Sequence, residues 1–324
     1  MFESTRSLVL VCCLLATAGR AQHDEAPTRS FVVKAGFSAD TTHQYRVSAS
    51  VVGGLVDPLG GDDSVWLTAP TYFETRVVER ESCRSVDEAG VAEIAYDWTS
   101  MSFQEINEGK TTMECKVDSK ADLLKIAREP RMQMMGSMIE APLIYRVDPK
   151  FRVTDLKLPR PILSVDADLL LERFRQSVQT RHALLTPDAA VAVGAVWKGK
   201  RVFTTGRWVP EGCFPEIPVD SVVELVGAER SAGALVLTLQ QTDTAAADLE
   251  PVQKNDYATV RIAAFRATTT YRLTTAGVLL GEHTKALLAL RIERPNADQK
   301  TQDVFRMATT LELERSLVED LAAN

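Results

Sequence analysis

The sequence has little of the material from which most catalytic and metal sites are built. It has four histidines, and no two of them lie within ten residues of each other. It has no G-x-S-x-G, H-E-x-x-H, Walker or G-x-G-x-x-G motif and no C-x-x-C. These absences remove the local signals for a nucleophilic hydrolase, a zinc protease and a nucleotide-binding loop. We therefore predict a non-enzymatic protein without catalytic residues, cofactor or metal.

Clusters of basic residues are also absent. Removing Glu3, Arg6 and Arg20 with the first 21 residues leaves 35 basic and 43 acidic residues of the 37 and 44 in the whole chain, a net charge near −8. A nucleic-acid backbone requires a basic surface, so we expect no nucleic-acid partner.

Only one long apolar run occurs, from Leu8 to Ala18, and it is too short to cross a bilayer. Arg6 precedes it and Gly19-Arg20-Ala21 follows, which is typical of a secretory signal peptide with cleavage after Ala21. We expect an exported protein, periplasmic or extracellular, that is soluble and has no transmembrane span. Residues 22–40 are polar and irregular and predict a flexible N-terminal lead.

Strand signals dominate the chain after residue 40. Three Ala-Gly steps, at Gly90, Gly233 and Gly277, each end a polar stretch and open a β-rich run. Glycine adopts positive φ at little cost, as short hairpin loops require. We predict hairpins that pair 71–84 with 91–104, 219–227 with 234–241, and 257–273 with 278–292. A further strand is expected near 111–118.

The strand at 91–104 contains a change of parity. Its large apolar residues fall on one parity up to Trp98 and on the other from Met101. A one-residue bulge near Thr99–Ser100 would bring both sets to one face. This register places Cys83 opposite Ile94 and Cys115 near Ser100, too far apart for a disulfide. We expect Cys83, Cys115 and Cys213 to be free.

One long amphipathic helix is predicted at 165–182, with an apolar stripe that includes Leu170 and Phe174. The pattern as a whole predicts an α+β fold. Long twisted antiparallel strands would form one or two curved sheets, with this helix packed on the concave side. Two β-rich halves, 41–160 and 161–318, would be continuous with each other.

Four methionines lie within seven positions, at Met132, Met134, Met135 and Met138. They could bind Cu(I) as soft ligands, line an adaptable apolar cavity, or fill the core. Helical spacing divides them between two faces, and no histidine or cysteine lies near them. Packing or cavity lining is therefore favoured over a metal site.

Several motifs together resemble a family of exported bacterial β-rich proteins of unknown function. They are the hairpin at 86–119 with its Tyr96-Asp97 pair, the Asp-Pro turn within 145–157, the Val-x-x-Gly-x-x-Trp motif within 190–200, and the glycine hairpin at 268–287. The usual glycine after Asp-Pro is Lys150 or Phe151 here. The resemblance implies a β-rich exported domain and no assigned activity.

A curved sheet with a helix across it would suit a protein that holds a lipid or another apolar small molecule in a cavity. The predicted cavity lining is Met132, Met135, Met138, Tyr145, Leu170 and Phe174. The alternative is a structural or protein-interaction module whose core is filled. A hydrolase with no local sequence signal is the third possibility, since two distant carboxylates leave no spacing pattern.

Overall fold

The protein is nearly all β in the part of the chain that the structure describes. The computed structural model describes residues 29–57, 66–118, 122, 142–157, 175, 178–179, 182–204, 216–231, 233–245, 253–254, 258–295 and 302–322. These form a single antiparallel sheet of thirteen strands. The predicted α+β class is therefore wrong, because the described residues show one extended sheet and no main helix packed upon it.

Seven of the thirteen strands have sixteen or more residues, whereas three have five or fewer. In chain order the thirteen strands are β1 Thr41–Val56, β2 Thr71–Val86, β3 Ala92–Asn107, β4 Lys110–Val117, β5 Leu143–Val147, β6 Val153–Lys157, β7 Val196–Thr204, β8 Glu216–Ser231, β9 Ala234–Thr244, β10 Gln253–Lys254, β11 Thr259–Thr274, β12 Leu279–Pro295 and β13 Gln302–Ala322.

Neighbouring strands follow the order β6-β5-β3-β2-β1-β13-β12-β11-β9-β8-β7, with β4 beside β3 and β10 beside β11. The three predicted hairpins are confirmed as β2–β3, β8–β9 and β11–β12. Their turn glycines, Gly90, Gly233 and Gly277, all have positive φ. The first and last strands, β1 and β13, pair with each other and join the two halves of the sheet.

The predicted bulge in β3 is confirmed. Val78 lies opposite Ser100 and Glu79 opposite Trp98, so Thr99 is the extra residue. The apolar side chains on both sides of the bulge consequently belong to one core cluster. Cys83 pairs with Ile94 as predicted, whereas Cys115 pairs with Phe103. Both of these thiols are free, and Cys213 lies outside the described residues.

The sheet is strongly rolled, as the contacts of residues 29–40 demonstrate. The Ala35 N–H donates to the Pro149 carbonyl at 3.0 Å, and the Gly36 N–H donates to the Gly277 carbonyl at 3.1 Å. Pro149 lies in the β5–β6 turn and Gly277 in the β11–β12 turn. In a flat sheet, the five spacings from β5 to β12 would hold these turns roughly 24 Å apart. Two consecutive amides reach both turns only because the sheet curves.

Residues 29–40, assigned from sequence to the flexible lead, are packed against the sheet; we refer to this segment as the strap. Phe31, Val33 and Ala35 are buried. A Cβ on Gly36 would lie 1.6 Å from the Ala276 carbonyl oxygen, so only glycine permits this approach between two backbones.

The core is divided into three clusters. One covers β2 to β5 and includes Val178, a second lies on β7, β8, β11, β12 and β13, and a third joins the strap to β8, β9 and β11. Most of the predicted helix 165–182 lies outside the described residues. At its end the His182 N–H donates to the carbonyls of Val178 and Gln179, which forms one turn.

Candidate functional site

The rolled sheet surrounds a cavity of about 40 Å³ on its inner face. This is room for about three water molecules, at 10–15 Å³ each. Its apolar wall includes Phe37, Phe151, Leu184, Tyr271, Leu273 and Leu279, and its polar wall includes His43, Glu81, His182 and Arg315. The wall thus combines strands that are distant in the sheet with the strap and the segment that begins at His182.

Arg315 on β13 is the charged centre of this wall and is almost completely buried. Its Nη2 donates to Glu81 Oε1 at 2.8 Å, and its Nε lies 3.4 Å from Glu79 Oε2. Its guanidinium carbon lies 3.9 Å from the centre of the Tyr45 ring. The strands β2, β1 and β13 are adjacent and place these groups in one row. Each charged group in the row has a partner of opposite charge, as buried charges require.

The same row extends to β3. Tyr96 donates its hydroxyl proton to Glu79 Oε1 at 2.7 Å, and the Trp98 indole N–H donates to the Tyr96 hydroxyl at 2.5 Å. Tyr96 and Trp98 share one face of β3, because the bulge follows them at Thr99. Two aromatic side chains are thereby buried with their polar atoms satisfied.

A second arginine, largely buried with its side chain 14% exposed, lies on β7 at one end of the strand order. Arg201 on β7 donates to both oxygens of Asp243 on β9, at 3.1 and 2.5 Å. The Ser221 hydroxyl donates to Asp243 Oδ1 at 2.6 Å. Burial lowers the pKa of Arg201, but the hydrogen bond and the charge of Asp243 outweigh this effect, so its pKa is raised. Arg201 consequently stays charged.

Tyr271 on β11 lines the cavity and lies opposite Glu282 on β12. Burial raises the pKa of the Tyr271 hydroxyl far above its ordinary value, and the Glu282 carboxylate raises it further. Tyr271 therefore remains a neutral phenol at physiological pH and contributes a ring and a hydroxyl dipole to the wall rather than a charge.

One predicted cavity-lining residue, Tyr145, lies in the described part of the chain. It is fully buried on β5, and its hydroxyl lies 3.1 Å from His182 Nε2. It therefore contacts a residue of the cavity wall from behind. The other five, Met132, Met135, Met138, Leu170 and Phe174, lie outside the described residues, as does Met134.

Phe151 follows Asp-Pro in the β5–β6 turn and is, with Lys150, one of the two positions at which the glycine expected there is missing. Its φ is +60°, in the left-handed region that favours glycine. The turn is held by Asp148, whose Oδ1 accepts the N–H groups of Lys150 and Arg152 at 2.9 Å each. The strained backbone directs the Phe151 ring into the cavity wall, against His182 at 6.4 Å.

The polar members of the site were missed in the sequence, although a signal for them was present. Arg315 continues the inward parity of Leu311 and Leu313, and Glu79 and Glu81 share the parity of Val77. Charged residues on the apolar parity of a strand indicate a buried polar centre. His43 and His182, which are far apart in the sequence, both line the cavity.

Two features are absent from the described ranges. No group of three histidine, cysteine, aspartate or glutamate side chains there has the arrangement that a metal ion needs. Within those same ranges, no helix has the length and apolar character required to cross a membrane.

No family model and no curated protein matches this sequence. Solved structures with weak likeness to this chain include the following three. DynF from the dynemicin biosynthesis pathway of Micromonospora chersina is 10% identical, with 92% of each chain covered and a TM-score of 0.20. The β domain of the Bordetella autotransporter BrkA is 9% identical, with 86% of this chain and 99% of that chain covered and a TM-score of 0.24.

The third structure is Salmonella typhi OmpF in complex with daunomycin. It is 4% identical, with 86% of this chain and 98% of that chain covered and a TM-score of 0.21. Scores this low are not evidence of a shared fold or function. The resemblance to exported proteins of unknown function therefore stays a prediction from the motifs in the sequence.

Proposed function

We propose that this is a non-enzymatic, exported protein that holds a small, largely apolar ligand in the cavity on the inner face of the sheet. One observation carries the proposal. Aromatic and aliphatic side chains from the strap, β11 and the β5–β6 turn converge on a single space together with a few buried polar groups. This combination is typical of small-molecule sites, in which the apolar wall supplies affinity and the polar groups fix orientation.

The polar groups support binding rather than catalysis. Arg315 is engaged with two carboxylates and an aromatic ring, and Tyr271 is held as a neutral phenol. Groups arranged in this way can orient one hydrogen-bonding group of an otherwise apolar molecule. A lipid or similar molecule needs roughly 300 Å³ or more, so the cavity of about 40 Å³ must widen to admit it.

Binding of a neutral apolar fluorescent probe tests the proposal. Val278 is part of the cavity wall, and Val278→Trp would fill the space. We expect this variant to bind the probe at least tenfold more weakly than the wild type. Leu280→Trp is the matched control, because Leu280 lies two residues further along the chain, on β12, and outside the wall. Equal affinities in the two variants would exclude the cavity as the site.

Native mass spectrometry of protein purified from its own host provides an independent test. A retained small molecule, lost in Val278→Trp and kept in Leu280→Trp, would identify the ligand class. If the wild type carries no molecule and binds no probe, the proposal fails.

The small volume of the cavity favours a second candidate function, an interaction module with a filled core. β7 ends the sheet order, and the outward side chains Val196 and Val202 on it are 54% and 50% exposed. Such a strand can recruit another β-strand. Measurement of the molar mass in solution, for the wild type and for Val196→Lys/Val202→Lys, tests this candidate. A larger wild-type assembly that the double substitution dissociates would support it.

A further inference from the structure

Residues 182–186, which we call the plug, cross the inner face of β7, β8 and β9 without forming a strand. We propose that the plug is an internal stand-in for the ligand: it occupies part of the binding space, and its release is what widens the cavity. This inference rests on the proposed function and specifies how the same site is regulated.

Side chains of the sheet hold the backbone of the plug. The Leu185 N–H donates to Gln241 Oε1 at 2.9 Å, and Gln241 Nε2 donates to the Ala183 carbonyl at 3.2 Å. The Trp197 indole N–H donates to the Leu185 carbonyl at 2.9 Å. The Gln241 side-chain amide thus forms hydrogen bonds with both a donor and an acceptor of the plug backbone, as the backbone of a neighbouring strand would.

Gln241 is completely buried, and its contacts with Asp243 fix the orientation of its side-chain amide. Its Nε2 also donates to both oxygens of Asp243, at 3.3 and 3.2 Å, and Asp243 is in turn paired with Arg201. Because Nε2 faces this carboxylate, Oε1 faces the plug. The second buried arginine therefore has a defined task, which is to orient the group that recognises the plug.

The side chains of the plug fill the space that a ligand would need. Leu184 is buried in the third core cluster and, with His182, forms part of the cavity wall. Leu185 lies over Gly199, where an added Cβ would come within 2.8 Å of its Cδ2 atom. Withdrawal of the plug would therefore join the space of these side chains to the existing cavity.

Withdrawal would also leave the Gln241 amide and the Trp197 N–H without the plug as partner. Buried polar groups without partners cost free energy. The molecule that replaces the plug should therefore present an amide N–H in the position of the Leu185 N–H, where it would donate to Gln241 Oε1, next to an aliphatic chain. The geometry thus indicates an apolar molecule that carries an amide.

Hydrogen exchange at the Leu185 amide tests whether Gln241 holds the plug. We expect Gln241→Leu to accelerate this exchange at least tenfold while the amide of Leu239 within β9 stays protected. Gln240→Leu is the matched control, because Gln240 is adjacent, on the same strand and exposed on the opposite face. Equal Leu185 exchange in the two variants would overturn the assignment of Gln241.

A binding experiment tests whether the plug and the ligand share one space. The probes are N-methyl dodecanamide and methyl dodecanoate, which differ in the amide N–H. The wild type should bind the amide, and binding should accelerate Leu185 exchange. Leu184→Ser/Leu185→Ser should bind it at least tenfold more tightly than the wild type, with the amide preferred over the ester.

The outcomes separate the two ideas. If the wild type binds the amide but Leu185 exchange does not change, the plug is a fixed wall and this inference fails while the proposed function stands. If neither the wild type nor the double variant binds either probe, the proposed function fails as well. The exchange measurement on the wild type remains decisive should the double variant not fold.

Discussion

The two buried arginines of this sheet are held in different ways. Arg201 meets one carboxylate, Asp243, through two parallel hydrogen bonds, and Ser221 and Gln241 complete the surroundings of that carboxylate. Arg315 is divided between Glu79 and Glu81 and stacks on Tyr45. Each group spans three strands, but Arg201 forms a closed pair with one carboxylate, whereas Arg315 is shared among several partners and lines the cavity.

The two arginines therefore have different roles: Arg201 helps to position Gln241, whereas Arg315 lines the cavity in which a ligand would bind. A bidentate arginine–carboxylate pair has one geometry, which suits a centre that must orient Gln241. A guanidinium with several partners can redistribute its contacts when the cavity wall changes. Measured stabilities should therefore respond more strongly to the loss of Arg315, because its removal leaves two carboxylates rather than one charge.

Arg315→Met should have the largest effect on stability. Methionine keeps most of the volume, but Glu79 and Glu81 then lose their buried cation. Breaking a buried ion pair by removing one partner costs about 3–5 kcal/mol, and we expect the upper end of this range from denaturant unfolding. Arg272→Met on β11 is the control, since Arg272 is exposed. A loss below about 1 kcal/mol for Arg315→Met would contradict the burial of this charge.

Asp243→Asn should cost less, at the lower end of the same range, about 3 kcal/mol. Asparagine still accepts from Ser221 and Gln241, but Arg201 loses its counter-charge. Urea unfolding of this variant should be compared with that of Asp220→Asn, whose position on β8 is exposed. If the two variants are equally stable, Arg201 and Asp243 contribute no net pairing free energy.

Local patterns predicted much of the sheet. The three Ala-Gly turns, the bulge at Thr99 and the pairing of Cys83 with Ile94 are decided within one hairpin, so short-range alternation contains the information. The pairing of β1 with β13 depends instead on residues at least 250 positions apart, such as Val56 and Arg306. No local pattern predicts this pairing of β1 with β13. Nor does a local pattern predict the curvature of the sheet, which brings the β5–β6 turn beside Gly277.

The candidate site was less predictable for the same reason. Tyr145 was selected from a nearby apolar pattern and does contact the wall through His182. Glu81, one of the two glutamates around Arg315, lies 234 residues away in the sequence. The inward parity of both glutamates was visible, but the identity of their partner follows only from the order of the strands.

Gly36→Ala tests the connection that the strap makes between the two sides of the sheet. The new Cβ would lie 1.6 Å from a backbone oxygen, so the strap must move away from the β11–β12 turn. Overpacking of this kind costs about 1–3 kcal/mol. Gly227→Ala is the control, because nothing lies within 4 Å of its added Cβ. Equal thermal stability of the two variants would mean that the strap is not held at Gly36.

The smallest effect should be a decrease of the free energy of unfolding as the pH rises in alkaline solution. It concerns Tyr271 in the cavity wall, on a strand between those of the two arginines. Burial, reinforced by Glu282, raises the pKa of Tyr271 above its ordinary value of 10.0 in the folded protein. The unfolded chain therefore loses this proton first as the pH rises. The stability contributed by the neutral phenol is fully present below pH 10.0 and falls above it, by about 1.4 kcal/mol per pH unit.

Tyr271→Phe removes the titrating group and keeps the ring. The free energy of unfolding, measured from pH 8 to about pH 11, should fall less steeply in this variant than in the wild type, by roughly one proton per molecule. Other tyrosines, lysines and cysteines titrate in both proteins, so their contributions cancel in the difference. Parallel curves above pH 10 would show that Tyr271 ionises as easily in the folded protein as in the unfolded chain. The wall between Arg201 and Arg315 would then be open to water rather than closed around a buried phenol.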